Sequence, residues 1–436
     1  MRNSKTVHII SLGCPKNRVD TERILSTLFD RGYTHSDDPL TARYIIINTC
    51  AFIEPAVEES IDAILDVKSE HPDAFVVVAG CLPLRYREDL VDSLPEIDLF
   101  LTPDRIHELP DLIAAKTAPD PRGDTIYGAS VSGRVLTTPG YAYLKIAEGC
   151  SRRCTYCTIP SIRGPLRSYD SEMLAQEAES LASCNVRELV LVAQDLTAYG
   201  VEKNEKHSLT NLLKRLEIIQ DLRWIRLMYL HPDGIPRSLP ELMKNSEKIL
   251  PYMDIPFQHV SDHVLKSMGR PWKGNRIRKL VDNLRNAIPG LVLRTTFMVG
   301  FPTERDEDFQ ELRDFVQEFR IEHVGVFAYS PEEGTPAFDL GNPIPDQVKN
   351  ARSSEIQNIH SRFIKRRLKE KVGTTQESII EGVSSETDLL LQGRTWDQAP
   401  EVDGVLYITS GDGIAGEIHK VKITATHGPD LFGEII

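Results

Sequence analysis

Residues 141–157 read YAYLKIAEGCSRRCTYC, an apolar run that ends in Glu-Gly and opens onto three cysteines spaced Cys-x3-Cys-x2-Cys. Ala142–Ala147, apolar but for Lys145, reads as a β-strand. Five more such runs follow, Glu188–Ala193, Trp224–Tyr229, Met253–Pro256, Val292–Val299 and Val324–Tyr329, each leading into a helix-like segment. Six strand–helix units in series predict an open or partial barrel, with function at the carboxyl ends of its strands. Cys150, Cys154 and Cys157 stand at the first of those ends.

Upstream, apolar runs at Val7–Leu12, Tyr44–Asn48 and Phe75–Ala79 alternate with helices predicted from Asn17 and after Pro55. This βαβαβ order implies a parallel sheet with helices on both faces. Residues 117–140 are rich in Pro, Gly, Ser and Thr without helical period, and read as a domain linker. Downstream, Thr303-Glu-Arg-Asp306 predicts a capping box before a helix at Phe309–Phe319. A second helix at 345–371 ends in the basic stretch SRFIKRRLKEK. The last 65 or so residues change to short β-like runs, Leu389–Leu391, Val405–Thr409 and Glu417–Thr424, punctuated by glycine, as in a small all-β barrel. The expected domains are therefore 1–138, 139–370 and 371–436.

With 436 residues, 41% hydrophobic and 26% charged, the chain has the balance of a globular protein with several cores, which excludes wholesale disorder. Its 51 Lys and Arg against 64 Asp and Glu give a net charge of −13, poorly matched to a phosphate backbone and better suited to a basic partner. No apolar run nears the roughly 20 residues of a membrane span. Met1–Ser11 lacks a signal-peptide pattern, and the expected location is cytoplasmic with no membrane partner. Seven cysteines in a reducing compartment are read as metal ligands with a remainder.

Three thiolates on one short loop can hold an iron-sulfur cube by three of its irons, leaving one iron open to bind substrate or cofactor. A zinc site completed by a distant histidine is the alternative, although zinc motifs more often come as Cys-x2-Cys pairs. Cys14, Cys50 and Cys81 share no spacing, yet each follows an early strand, so all three fall at the carboxyl edge of one sheet, where ligands gather. A second three-thiolate site follows, the alternative being three buried cysteines acting as small hydrophobes. Cys184, at the end of a predicted helix Ser171–Ser183, has no partner and is read as a core residue.

The loop EGCSRRCTYC, with Tyr156 before its last cysteine, resembles the signature of the radical S-adenosylmethionine superfamily. In that superfamily the open iron chelates S-adenosylmethionine, whose reductive cleavage gives a 5'-deoxyadenosyl radical. Together with SLGCPKNRVDTE, INTCAFIEPAVEES, VAGCLPLRY, DIPFQHVSDHVLKSMGRPW, RTTFMVGFPTERDEDF and FAYSPEEGTPA, it makes nearly the whole chain resemble the methylthiotransferase family. The implied fold is α/β: an N-terminal open parallel sheet, a central radical S-adenosylmethionine partial (β/α) barrel and a C-terminal TRAM-like β-barrel. The resemblance implies a 4Fe-4S cluster at Cys150, Cys154 and Cys157 and an auxiliary 4Fe-4S cluster at Cys14, Cys50 and Cys81 whose open iron carries a sulfur. One S-adenosylmethionine methylates that sulfur. A second yields the radical that opens a substrate C–H bond for the methylthio group.

The SLGCPKN start is most similar to the branch that methylthiolates the β-carbon of an aspartate in ribosomal protein S12, which would be met free or on the small ribosomal subunit. The alternative is an adenosine of tRNA; a non-catalytic iron-sulfur carrier is a third reading. An electron donor such as flavodoxin or ferredoxin is implied. Cofactor contacts are expected from Tyr156, from Gln194 and Asp195 after the second barrel strand, from Gln258, from Phe301 in the turn Gly300-Phe301-Pro302, and from Tyr329. Residues 371–436 carry four basic and eleven acidic side chains, net −7, which disfavours tRNA and suits a basic ribosomal protein.

Overall fold

The runs YIIINT at 44–49 and FVVVAG at 75–80 are mostly apolar because both of their faces are covered, and even the polar Asn48 and Thr49 are buried. Ile45, Ile47, Val76 and Val78 pack into one core, and Ile46, Val77 and Ala79 into another on the opposite face of the sheet. The computed structural model describes residues 5–115, 134–205, 207–270, 272–384 and 386–436. By contacts the chain forms two units, one of residues 1–137 with 149–151 and 158–165, the other of the remainder.

In the first unit the order is β1 (Thr6–Ser11), α1 (Pro15–Phe29), β2 (Thr34–His35), β3 (Tyr44–Thr49), α2 (Glu54–Glu70), β4 (Phe75–Gly80), α3 (Cys81–Ser93), β5 (Leu99–Leu101) and α4 (Leu109–Ala115), joined by the late helix α5 (Ile159–Arg163). The sheet is wholly parallel in the order β2-β1-β3-β4-β5. Its direction reverses between β1 and β3, and beyond the carboxyl ends at such a switch point lies the crevice of doubly wound folds. The short edge strands β2 and β5 go beyond the sequence reading, since two or three residues carry no periodic signal. Of the linker segment, 117–133 lie outside the described residues. Its described end is tied to α1, where the buried Glu22 carboxylate accepts from Arg134 and Thr137.

The second unit opens with β6 (Tyr141–Lys145) and β7 (Ala147–Glu148), which pairs with β8 (Arg167–Ser168). It continues through α6 (Ser171–Ser183), β9 (Glu188–Val192), α7 (Ser208–Glu217), β10 (Trp224–Leu227), α8 (Leu239–Asn245), β11 (Ile249–Asp254), α9 (Asp262–Ser267), α10 (Gly274–Ala287), β12 (Val292–Val299), α11 (Asp306–Phe319), β13 (His323–Ala328) and α12 (Asp346–Lys371). Strands β6, β9, β10, β11, β12 and β13 form one six-stranded parallel sheet in chain order, the open barrel expected. The cap of α11 differs from the expected one by two residues. Asp308, not Asp306, accepts from the backbone N–H of Arg305 at 3.0 Å, and it also binds the Arg305 side chain.

Strands β14 (Thr375–Val383), β15 (Leu391–Thr395), β16 (Leu406–Ser410), β17 (Ile418–His427) and β18 (Asp430–Ile435) close a small barrel around Ile380, Leu406, Ile408, Val421, Ile423 and Leu431. It joins the large sheet through buried charge. Glu188, at the start of β9, binds Arg226 of β10 at 2.6 Å and Arg394 of β15 at 2.7 Å. Asp403 accepts from the Tyr252 hydroxyl and lies beside Arg294 and His323. Glu401 accepts from the hydroxyls of Tyr141 and Tyr143. Tyr141, Glu188, Arg294 and His323 sit at the amino-terminal ends of β6, β9, β12 and β13, so the small barrel floors the large one.

Cys184 is a correction to the sequence reading: it is exposed at the carboxyl cap of α6, two residues past Ala182, the last buried residue of the helix. Cys184→Ala should therefore change unfolding free energy by less than about 0.5 kcal/mol in urea. A loss of 1 kcal/mol or more would restore a buried role. Among the described residues no helix is long and apolar enough to cross a membrane.

Candidate functional site

Cys14, Cys50 and Cys81 gather at the sheet's switch point because each ends a parallel strand. Cys14 follows β1 and is the N-cap of α1, Cys50 directly follows β3, and Cys81 follows β4 as the first residue of α3. Two of the three thus stand at the amino ends of helices, where exposed N–H groups and the helix dipole favour negative charge. Gly13 and Gly80, with φ of +88° and +99°, turn the chain just before two of the cysteines. A side chain at Gly13 would meet Cys50 Cβ at 2.6 Å, and one at Gly80 would meet the carbonyl of Thr49 at 2.5 Å, so only glycine permits this approach.

The strand ends are tied by polar side chains. The Asn17 amide donates to the carbonyls of Leu12 and Thr49, Asn48 donates to the Asn17 carbonyl, and Thr49 donates to Ala79. Burial pushes the Cys50 thiol up to about 11, and Cys81 and Cys14 push it the same way, so the three sulfurs are within electrostatic reach of one another. Burial also raises Cys81, against the pull of Arg163. Such thiols need bound positive charge to ionise, which a metal supplies. Among the described residues no three His, Cys, Asp or Glu side chains are close enough to hold a single metal ion. A cubane cluster takes each thiolate on a different iron, so its ligands stand farther apart. The donor set fits a cluster.

Cys150, Cys154 and Cys157 lie on the segment between β7 and α5. Cys150 belongs to the first unit, its N–H donating to Gly164 at 3.0 Å; Cys154 and Cys157 belong to the second. Thr155 anchors this stretch by donating from its N–H to Met268 and from its hydroxyl to Ser267, while its carbonyl accepts from Ala337. Tyr156 is raised by burial, and its hydroxyl accepts from Arg270 Nε at 3.1 Å. Arg270, which also hydrogen-bonds Cys154, is a residue that sequence reasoning missed.

Tyr156 packs on the cluster formed by Val264, Met268, Phe301 and Tyr329. Phe301 stands edge-on to Tyr329 at 5.3 Å. The turn carrying Phe301 is shaped by Glu304, which accepts from Gly300 N–H at 2.7 Å and binds Arg352. Gln258, with φ of +69°, is half-buried and bridges to Phe297 of β12. Asp195 is engaged: its carboxylate binds Arg152 at 2.8 Å and accepts from the Thr197 N–H and hydroxyl. Gln194 donates to Glu148. Its amide oxygen and the Tyr329 hydroxyl are buried without a hydrogen-bond partner among the described residues. Unsatisfied polar atoms at the carboxyl ends of the strands suit a polar ligand such as S-adenosylmethionine. His231, also at this end, is pushed down to about 2 by burial and by Arg270 and Arg152, and is neutral.

Family models match residues 6–102 (Uncharacterized protein family UPF0004), 144–316 (Radical SAM superfamily) and 372–436 (TRAM domain). Three curated relatives share the name ribosomal protein uS12 methylthiotransferase RimO. That of Trichlorobacter lovleyi is 47% identical over 99% of this chain and 98% of its own, and that of Pelobacter propionicus 44% over 98% and 97%. That of Aquifex aeolicus is 43% identical over 98% and 96%. The chain belongs to the RimO family.

Two solved structures share the fold of the RimO-family chain. The methyltransferase TsrM of Kitasatospora setae, with cobalamin and a [4Fe-4S] cluster bound, matches with a TM-score of 0.58 at 15% identity, covering 77% of each chain. The cobalamin-dependent enzyme OxsB matches at 0.51 and 12% identity, over 81% of this chain and 56% of its own. At these identities the likeness is one of fold alone. In the RimO-family chain the blocks around Cys14, Cys50 and Cys81 fall in or directly beside the first matched region, and the Cys150–Cys157 loop in the second.

Proposed function

We propose that this chain methylthiolates the β-carbon of an aspartate in ribosomal protein uS12, using S-adenosylmethionine and two 4Fe-4S clusters. The observation that carries the reading is the convergence of Cys14, Cys50 and Cys81 on one sheet edge in a chain that also bears the Cys-x3-Cys-x2-Cys loop. A radical generator needs only the second set. The names of the curated relatives supply the substrate.

Bound at these sites, the clusters and S-adenosylmethionine supply a radical that opens a C–H bond and a sulfur that becomes the methylthio group. The protein does the rest by holding and enclosing. Cys150, Cys154 and Cys157 hold one cluster, with Arg270 fixing Tyr156 against the Phe301–Tyr329 cluster and excluding water. Gln194, Gln258, Phe301 and Tyr329 line the cofactor's place, and Asp195 acts by orienting Arg152. Cys14, Cys50 and Cys81 hold the second cluster, with helix amino ends beside two of its thiolates.

The working division is 1–138 for the auxiliary site, 139–370 for the radical site and 371–436 for the β-module. The protein works in the cytoplasm, takes electrons from a flavodoxin or ferredoxin, and meets uS12 free or on the small subunit. The acidic module disfavours tRNA: Asp397 and Asp403 face inward contacts, while Glu377, Glu386, Asp388, Glu401, Asp412 and Glu434 are its exposed acids. Mass spectrometry of uS12 and of tRNA nucleosides from a deletion strain is the test. The expected result is loss of a methylthio mass from uS12, restored by the wild-type gene. Unchanged uS12 with loss of a methylthio nucleoside would overturn the reading.

A further inference from the structure

Arg163 is six residues past Cys157, yet it belongs to the N-terminal unit. Its segment is fixed there at two points. The Thr158 hydroxyl donates to the Phe52 carbonyl at 3.0 Å, and Ile162 is buried in the core formed with Ile45, Ile47, Val76 and Val78. Arg163 is itself buried, and its guanidinium points at the sulfur of Cys81, with Nε at 3.3 Å and Nη2 at 3.0 Å. Nη2 also donates to the Asn17 side-chain oxygen at 2.8 Å, and Nη1 to Asp20 at 3.2 Å.

An arginine kept only to neutralise Asp20 would turn its two-pronged edge to that carboxylate, the geometry that makes arginine pairs strong. Here the Nε–Nη2 edge faces sulfur and the carboxylate takes the remaining nitrogen. The pair with Asp20 and the bond to Asn17 fix the plane of the guanidinium. Asn17 is fixed in turn by the carbonyls of Leu12 and Thr49 at the ends of β1 and β3. The arginine is thus oriented by the same strand ends that present Cys14 and Cys50.

We propose that Arg163, oriented by Asp20 and Asn17, is a positioning residue that hydrogen-bonds the Cys81 thiolate of the auxiliary cluster and sets that cluster's reduction potential. The inference rests on the reading of Cys14, Cys50 and Cys81 as cluster ligands. Reduction adds an electron to an already anionic cluster. A fixed positive charge and N–H donors at a ligating sulfur stabilise the reduced form more than the oxidised one, and so raise the potential. Cys50 takes a backbone N–H from Phe52, whereas Cys81 takes two donors of a charged guanidinium, which concentrates the effect at Cys81.

The test is a spectroscopic redox titration of the full chain carrying Cys150→Ala, Cys154→Ala and Cys157→Ala, so that iron occupies the N-terminal site alone. Adding Arg163→Met should shift the reduction equilibrium at least tenfold toward the oxidised cluster, ~59 mV lower for one electron. Arg163→Lys, which keeps the charge without the fork, should recover part of the shift. An unchanged potential at full iron occupancy overturns the inference. Should Arg163→Met fail to assemble the cluster, Arg163→Lys decides: a potential below that of the parent supports the assignment and an equal one overturns it. Absence of iron from the parent triple variant would instead defeat the reading of the site. In the complementary background, Cys14→Ala, Cys50→Ala and Cys81→Ala, Arg163→Met should leave the barrel cluster's potential unchanged; an equal shift there would mark a general structural effect and overturn the proposal.

Discussion

Replacing Cys150, Cys154 and Cys157 together with alanine is expected to leave half of the iron and sulfide of the anaerobically reconstituted protein and to abolish cleavage of S-adenosylmethionine. The two cysteine sets are built on different supports. Cys14, Cys50 and Cys81 are carried by β1, β3 and β4 and braced by Asn17, Asn48 and Thr49 through hydrogen bonds among the strand ends themselves. The reverse substitution, Cys14, Cys50 and Cys81 to alanine, should retain half the iron and full reductive cleavage of S-adenosylmethionine while losing methylthiolation altogether. Iron and sulfide analysis with Mössbauer spectra reads the first result, and product chromatography the second. Complete loss of iron from the barrel triple variant would show that the N-terminal cysteines hold no cluster of their own.

The placement of Cys14, Cys50 and Cys81 at one sheet edge was legible in the sequence because parallel strands show as largely apolar runs, and a cysteine two residues past such a run falls at the carboxyl edge. The glycines before Cys14 and Cys81 were a further local signal, since a positive φ at the strand exit needs them. Arg163 and Arg270 were not legible. Each reaches its cysteine across a long sequence separation, 82 residues for Arg163 and Cys81, and nothing in the local pattern of SIRGP or GRP marks the contact. Cys184 was misread because a helix's packing face ends abruptly at its last turn: Ala182 is buried and Cys184 exposed. The α11 cap slipped by two residues because arginine is a poor N-cap in general, and here Asp308 serves it with both a backbone and a side-chain bond.

The floor of the barrel was equally hidden, and it carries the largest stability effect expected of a single substitution. Arg394→Met should lower the unfolding free energy by about 3–5 kcal/mol, the usual consequence of removing one partner from a buried ion pair. Glu188 and Arg226 are both fully buried, and Arg394 closes the set by binding Glu188 at 2.7 Å and Glu381 at 2.6 Å. Burial by itself raises the Glu188 carboxyl, and Arg226 and Arg394 more than offset it, holding it below the ordinary value. A carboxylate lowered in the folded state stabilises the fold above its unfolded pKa, and that contribution is lost as pH falls through the folded value. Without Arg394 the burial effect gains ground, so the variant should begin to lose stability at a higher pH than the wild type. Thermal unfolding should show a drop of about 5 °C near neutral pH. The fourfold replacement Glu188→Leu, Arg226→Met, Glu381→Gln and Arg394→Met should recover much of it, because no charge of this set is then left alone. If Arg394→Met melts with the wild type, residues 371–436 are an appended module rather than a floor, and the buried charges of β9, β10, β11 and β12 are satisfied without them.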